Sequence, residues 1–265
     1  MTQKETPMNG QQGSDAGDIP HSSILGLLPA AGFMLAILAV AAAVLAGFGT
    51  RWGWWNFRTG FAILKVSAYG GVAAAVASIA GGIIAVSGSS RMGLILAAAG
   101  VLIGLITAGI PWSWMRTVKQ VPFIHDITTD LENPPQFAAV LPLRKDAANP
   151  AEYGGPDIAA QQRKGYPDIV PLRLRVPPAQ AFERALQAAR DSGWEIVAAK
   201  REEGRIEATD TTFWFGFKDD VVIRITPALD GSRVDVRSLS RVGRSDVGTN
   251  AKRIRKYLNR LDQMK

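Results

Sequence analysis

Three long apolar runs constrain this chain more than any other feature. They cover Ile24–Phe48, Phe61–Val86 and Met92–Trp114, and each exceeds the roughly 20 residues a helix needs to cross a hydrocarbon core. Between Ile24 and Trp114 the only formal charges are Arg51, Arg58, Lys65 and Arg91. Lys65 alone lies within a run, near an end where its stem can carry the ammonium to the interface. Trp52, Trp54, Trp55, Trp112 and Trp114 stand at run ends, as interfacial aromatic belts do. The chain therefore reads as a three-span membrane protein.

Gly70-Gly71, Gly81-Gly82 and the Gly100/Gly104 pair predict close helix approaches within the bundle or between copies of it, since packing drives association in lipid. No span carries a central acid, histidine or charge pair, which argues against a proton or ion pathway. Four segments follow: a disordered polar tail over 1–23, the transmembrane region over 24–115, an extended Pro-rich segment over 116–167 and an α+β domain over 168–265. The tail lacks the basic start of a signal peptide, so the first span reads as retained. The chain has no cysteine, which excludes disulfides, thiol catalysis and thiolate metal sites.

The soluble half becomes regular at Asp168. Leu172, Leu174 and Val176 alternate with Arg173 and Arg175 as in a half-buried strand. Pro177-Pro178 and Gly193 bracket a helix. Five strands are expected next, "WEIVAAK", "RIEATDT", "FWFGFKD", "VVIRIT" and "RVDVRSL", with turns at Asp219-Asp220 and Asp230-Gly231. Val247, Ala251, Ile254, Leu258 and Leu261 make one face of a last helix. The fold class is a three-helix membrane bundle followed by a mostly antiparallel sheet with two helices on one face.

Two places invite a ligand. Arg237, Ser240, Arg241, Gly243, Arg244, Asp246, Gly248 and Asn250 surround the start of the last helix, where free amides and arginines suit an anion or lipid headgroup. The competing reading is a capped turn, because Asp246, Thr249 or Asn250 each serve as a cap and an acid at the mouth opposes an anion. His125, Asp126 and Asp130 form a second polar cluster, but their spacing matches no metal motif, and no metal or cofactor is expected. Phe213, Phe215 and Phe217, on one face if that stretch is a strand, suggest an apolar groove.

Several stretches together resemble the domain-of-unknown-function family 1499: "IHDITTD" from Ile124, "YPDI" from Tyr166, "GRIEAT" from Gly204, "DDVVIRI" from Asp219, and the Asp235–Ile254 pattern of Arg, Ser, Gly, Asp and Asn. The three-span half is similar to its membrane-anchored bacterial branch. The resemblance implies no activity. It does imply an exported domain, on the periplasmic side of a bacterial inner membrane. The short-flank charges, Arg51, Arg58, Lys65, Arg116 and Lys119 against Lys4 and Arg91, imply the cytoplasmic side instead.

No GxSxG, HExxH or P-loop pattern appears, so catalysis is not expected, although carboxylates such as Asp126, Asp210 or Asp246 leave an enzyme open as an alternative. The preferred expectation is a domain that binds a lipid or a membrane-protein partner beside the bilayer, with a structural or assembly role in a membrane complex as the other alternative. Net charge +7 and a basic last helix raise nucleic acid as a partner, but Asp210, Asp219, Asp220 and Asp235 interrupt any long basic stripe, and this class is not expected.

Overall fold

The structure, a computed structural model, describes residues 26–264. The tail expected over 1–23, with His21 and Lys4, lies outside the described residues. Three helices follow in an up-down-up bundle: α1 (Leu28–Arg51), α2 (Phe57–Ser87) and α3 (Arg91–Gln120). The shortest has 24 residues, about 36 Å at 1.5 Å per residue, enough for a hydrocarbon core near 30 Å. Asn56 caps α2 through the amides of Arg58 and Thr59, and Ser90 caps α3 through Gly93.

Bare Cα atoms set the helix approach. A Cβ on Gly32 of α1 would stand 2.6 Å from the Ser78 hydroxyl of α2, and one on Gly71 would stand 2.7 Å from the Gly104 carbonyl of α3. The small residues thus pack within the bundle, while Leu38, Val66, Ile79 and Leu102 face outward. This is the pattern lipid demands: small residues inside, large aliphatic ones outside. The chain is a membrane protein.

Beyond the bundle lies one six-stranded antiparallel sheet. Its strands are β1 (Asp126–Thr128), β2 (Leu172–Leu174), β3 (Glu195–Lys200), β4 (Arg205–Thr211), β5 (Lys218–Ala228) and β6 (Gly231–Ser240). The order is β1-β6-β5-β4-β3, with β2 following β1 along the same edge of β6. Helices α5 (Pro178–Asp191) and α6 (Thr249–Gln263) cover one face. Phe182, Ala185 and Leu186 of α5 and Ala251, Ile254, Tyr257 and Leu261 of α6 bury against Ile206, Val221, Ile223, Val234 and Val236. Each fully buried aliphatic side chain contributes about 1.5–3 kcal/mol. Trp194 stacks on Tyr257 at 4.9 Å, and the Tyr257 hydroxyl donates to the Ala185 carbonyl.

The other face is covered by the segment between α3 and β2. Phe137 and Val140 pack on Val222 and Leu239. The buried Glu207 carboxylate accepts the amides of Ala138, Ala139 and Val140 and pairs with Arg205. The fully buried Arg237 lies between the rings of Phe137 and Tyr153 and pairs with Asp126 at 2.7 Å. Asp220 takes Arg144 at 2.5 Å and Arg241 at 2.8 Å. Arg237 of β6 is therefore an interior residue, balanced by an acid far away in sequence.

Several expectations need correction. The 116–167 segment, expected to be extended, holds the end of α3, strand β1, a 3₁₀ turn at Leu141–Arg144 and helix α4 (Gly155–Gly165). Gln162 of α4 bonds both main-chain groups of Thr128, at 3.0 and 2.6 Å, which docks that helix on β1. The sheet domain thus begins near Ile124 rather than at residue 168. "FWFGF" is not a strand but the β4–β5 loop, and the Asp219-Asp220 turn is instead the paired start of β5. Val247 precedes α6 at φ +52° rather than lying in it. The Asp230-Gly231 hairpin turn stands as read.

Candidate functional site at the bundle–sheet junction

The β4–β5 loop is closed by Thr212, whose amide donates to the Phe217 carbonyl and whose hydroxyl accepts the Phe217 amide, both at 2.8 Å. Gly216 at φ +68° makes the reversal, a backbone state that costs glycine little. This short loop pushes its aromatics into the end of the bundle. Trp214 Nε1 donates to the Val44 carbonyl of α1 at 3.0 Å. Arg51, at the end of α1, donates to the carbonyls of Thr212 and Phe213 at 2.9 and 2.8 Å. Phe215 meets Phe61 of α2 at 5.0 Å and stacks on Phe217 at 5.4 Å, while Trp214 meets Trp114 of α3 at 5.5 Å. Gly47 leaves the space in α1 that the Trp214 ring occupies, while a Cβ on Gly60 of α2 would overlap the Thr50 hydroxyl of α1 and meet Phe215 at 3.1 Å.

Beside this plug runs the 241–248 connection from β6 to α6. Val247 and Gly248 both take positive φ, and the Asp246 amide donates to the Ile124 carbonyl. The Asp246 carboxylate accepts the amides of Gly248 at 3.0 Å and Asn250 at 2.6 Å. The start of α6 is thus occupied by its own carboxylate. Burial raises the Asp246 pKa, against the lowering pull of those two amides. Asn250 is buried, accepting from Ser238 and Arg253 and donating to the His125 carbonyl and Ser240. Arg253 bridges Asp210 at 2.7 Å and Asp219 at 2.6 Å, and despite its burial those two acids raise its pKa.

Between the plug and this connection lies a cavity of about 430 Å³. Its membrane-side wall is aromatic, from Phe57, Phe61, Trp114, Trp214, Phe215 and Phe217. Its other wall is mixed, from Asp219, Ser240, Val242, Ser245, Asp246 and Lys252. A volume within the range of small-molecule sites, lined by aromatics with a few polar groups, suits an amphipathic ligand.

Of the residues singled out from sequence, Ser240, Gly243 and Asp246 line this cavity, and Gly248 and Asn250 form the capped helix start behind it. Arg237 and Arg241 point to the opposite face of the sheet, bound to Asp126 and Asp220. Arg244 is exposed, with its carbonyl 3.4 Å from His125 Nδ1. The second polar cluster does not assemble: His125 faces that carbonyl, Asp126 faces Arg237, and Asp130 is shared by Arg224 and Arg233. Among the described residues no group of three or more His, Cys, Asp or Glu is placed to hold a metal. Phe57, Phe61 and Trp114 escaped a sequence reading that treated the membrane runs and the soluble domain as separate bodies.

The family model described as protein of unknown function DUF1499 matches residues 126–261, just over half of the chain. The chain belongs to the DUF1499 family. No curated protein and no solved structure matches it. The DUF1499 match runs from β1 into α6 and leaves out the bundle. The junction cavity therefore has two origins. Its polar wall and the aromatic loop belong to the DUF1499 region, while Phe57, Phe61 and Trp114 belong to the membrane helices.

Proposed function

We propose that this DUF1499 protein binds a membrane lipid in the junction cavity, with the headgroup side toward Lys252 and Ser245 and the apolar side against Phe61, Trp114 and Phe215. The observation that carries the reading is the cavity's composition: one wall made by the ends of two membrane helices, the other by a polar loop of the sheet domain. A ligand that satisfies both walls must be amphipathic, and the bilayer beside the cavity supplies such molecules. Phe213, 79% accessible, meets Phe48 at the end of α1 at 5.5 Å, and the exposed Trp52 stacks on the same Phe48 ring; such exposed aromatics suit the interfacial zone.

The same reading puts the protein in a bacterial inner membrane with the sheet domain on the periplasmic side, as the family resemblance implies. The short-flank charges Arg51, Arg58, Lys65, Arg116 and Lys119 oppose this side. Alkaline phosphatase and fluorescent-protein fusions after Lys265 test the side. Phosphatase activity without fluorescence is expected, and the reverse places the domain in the cytoplasm.

Lipid binding is tested by native mass spectrometry of the full-length protein released from detergent. Wild type is expected to retain lipid, and Val242→Trp, which fills the cavity from its mixed wall, to lose it. Equal retention by the two proteins, or a bound protein partner in place of lipid, contradicts the proposal.

A further inference from the structure

The cavity opens beside Lys252, and Lys252 also begins a cationic track on the outer side of α6. Lys252, Arg255, Lys256, Asn259, Arg260 and Gln263 line a shallow groove of about 510 Å³. Lys252 is the residue common to groove and cavity. The spacing of these six places them on one side of a 3.6-residue helix. The groove has no acid in its lining, and Arg255 is already matched by Asp168 at 2.5 Å. Among the described residues Lys252, Lys256 and Arg260 have no carboxylate in ion-pair contact.

The direction of the track follows from topology. Strand β6 runs toward the bundle and ends at Ser240 in the cavity wall. Helix α6 then returns along the sheet, past β1 and on to β2, which pairs with the far end of β6. The track therefore leads away from the bundle end, and from Lys252 to Gln263 it rises about 16 Å along the helix axis. Headgroups lying in the bilayer plane meet only its near end. The groove contains no aromatic side chain on which a nucleic-acid base could stack.

We propose that the lipid held in the cavity carries an anionic chain, bearing phosphates or carboxylates, which leaves the bilayer at Lys252 and lies along Lys256 and Arg260. This rests on the lipid reading of the cavity and narrows it to lipids with an extended, negatively charged polar part. The aromatic wall seats the apolar end, Lys252 meets the first charge, and the next turns of α6 meet those that follow.

The test uses the full-length protein in nanodiscs of zwitterionic phospholipid. The probes are a diacylglycerol bearing an oligo(glycerol phosphate) chain, the same chain without lipid, and a single-stranded oligonucleotide of equal charge. Wild type is compared with Lys256→Glu/Arg260→Glu, whose positions lie on the outer side of α6, and with Val242→Trp. The tethered chain is expected to bind wild type more tightly than the free chain, because the seated lipid raises its effective concentration. The double charge reversal is expected to cost about tenfold or more in affinity, and added salt to weaken binding steeply.

Equal affinity of the tethered chain for wild type and the double variant overturns the proposal. So does tighter binding of the oligonucleotide, which would make the track a nucleic-acid surface. Retention of plain phospholipid is followed in the same samples, with thermal melting of each variant as a folding control. Retention unaffected by Val242→Trp overturns the cavity reading itself. Retention lost in that variant, without charge-dependent chain binding to wild type, overturns the track alone.

Discussion

The indole nitrogen of Trp214 donates to the Val44 carbonyl across 3.0 Å, so a loop of the sheet domain is hydrogen-bonded inside the first membrane helix. The bond depends on Gly47, because any side-chain carbon there overlaps the indole ring. Gly47→Val is therefore expected to expel Trp214 and loosen the domain from the bundle, at a cost of about 2–3 kcal/mol for the lost burial and hydrogen bond. Tryptic cleavage at Lys218 should accelerate and the melting temperature should fall. Gly109→Ala is the control, since nothing lies within 4 Å of a Cβ there.

The ion pair of Arg237 with Asp126 is buried beneath Phe137 and Tyr153. Removing one partner strands the other charge in a low-dielectric interior, so Arg237→Ala is expected to cost about 3–5 kcal/mol. Replacing both, as Arg237→Met with Asp126→Leu, should restore most of that stability, because the desolvation penalty disappears with the charges. Chemical denaturation of the full chain in detergent measures both effects.

Asp246 holds the start of α6 through two amides. Asp246→Ala is expected to destabilise by about 1 kcal/mol, as losing a cap does, whereas Asp246→Asn keeps an acceptor and should stay close to wild type. Because burial raises its folded pKa, the native state holds its proton to higher pH than the unfolded chain. The Asp246 contribution to stability therefore falls as pH rises through that window, above the ordinary value of 3.8. The Asn variant should gain on wild type over the same rise, read as the difference in melting temperature between them.

Asp220 shows the opposite sign. Burial pushes its pKa up, but hydrogen bonds from Arg241, Thr209 and Arg144, with the Arg241 charge, outweigh that and hold it below 3.8. The native state then binds fewer protons than the unfolded chain in this range. The stabilisation is complete above the unfolded value and is lost as pH falls through the folded one. Acid titration of unfolding should show a shallower loss of stability in Asp220→Asn than in wild type, from a lower starting stability at neutral pH.

The spans were legible because an apolar run of that length has one stable use, and the Asp230-Gly231 hairpin because its turn chemistry is local. Helix α6 was legible from Ala251, Ile254 and Leu261, all fully buried. What escaped depended on partners distant in sequence. Asp219-Asp220 resembles a turn until Arg253 is seen to hold one acid and Arg144 and Arg241 the other, which lets both sit in a strand. Phe213 to Phe217 alternates like a strand, but Trp214 is seated against Gly47 of α1 and Phe215 and Phe217 against Phe61 of α2 rather than by neighbours in a sheet. Helix α4 carries little apolar periodicity, and the Gln162 bonds to Thr128 that dock it have no local sequence signal. The cavity was half legible for the same reason: its polar residues and the loop's Phe215 and Phe217 drew notice, while Phe57, Phe61 and Trp114 belonged to another segment.

The most direct test of lipid seated at the junction is photo-crosslinking in nanodiscs that contain a phospholipid with a diazirine on its acyl chain. After irradiation, peptide mass spectrometry maps the adducts on the full-length protein. Adducts are expected on Phe61, Phe215 and Val242 in the cavity wall, with a selective loss of the Phe61 and Phe215 adducts in Val242→Trp. Adducts confined to lipid-facing residues such as Leu38 and Ile79, unchanged in that variant, would contradict lipid seated at the junction.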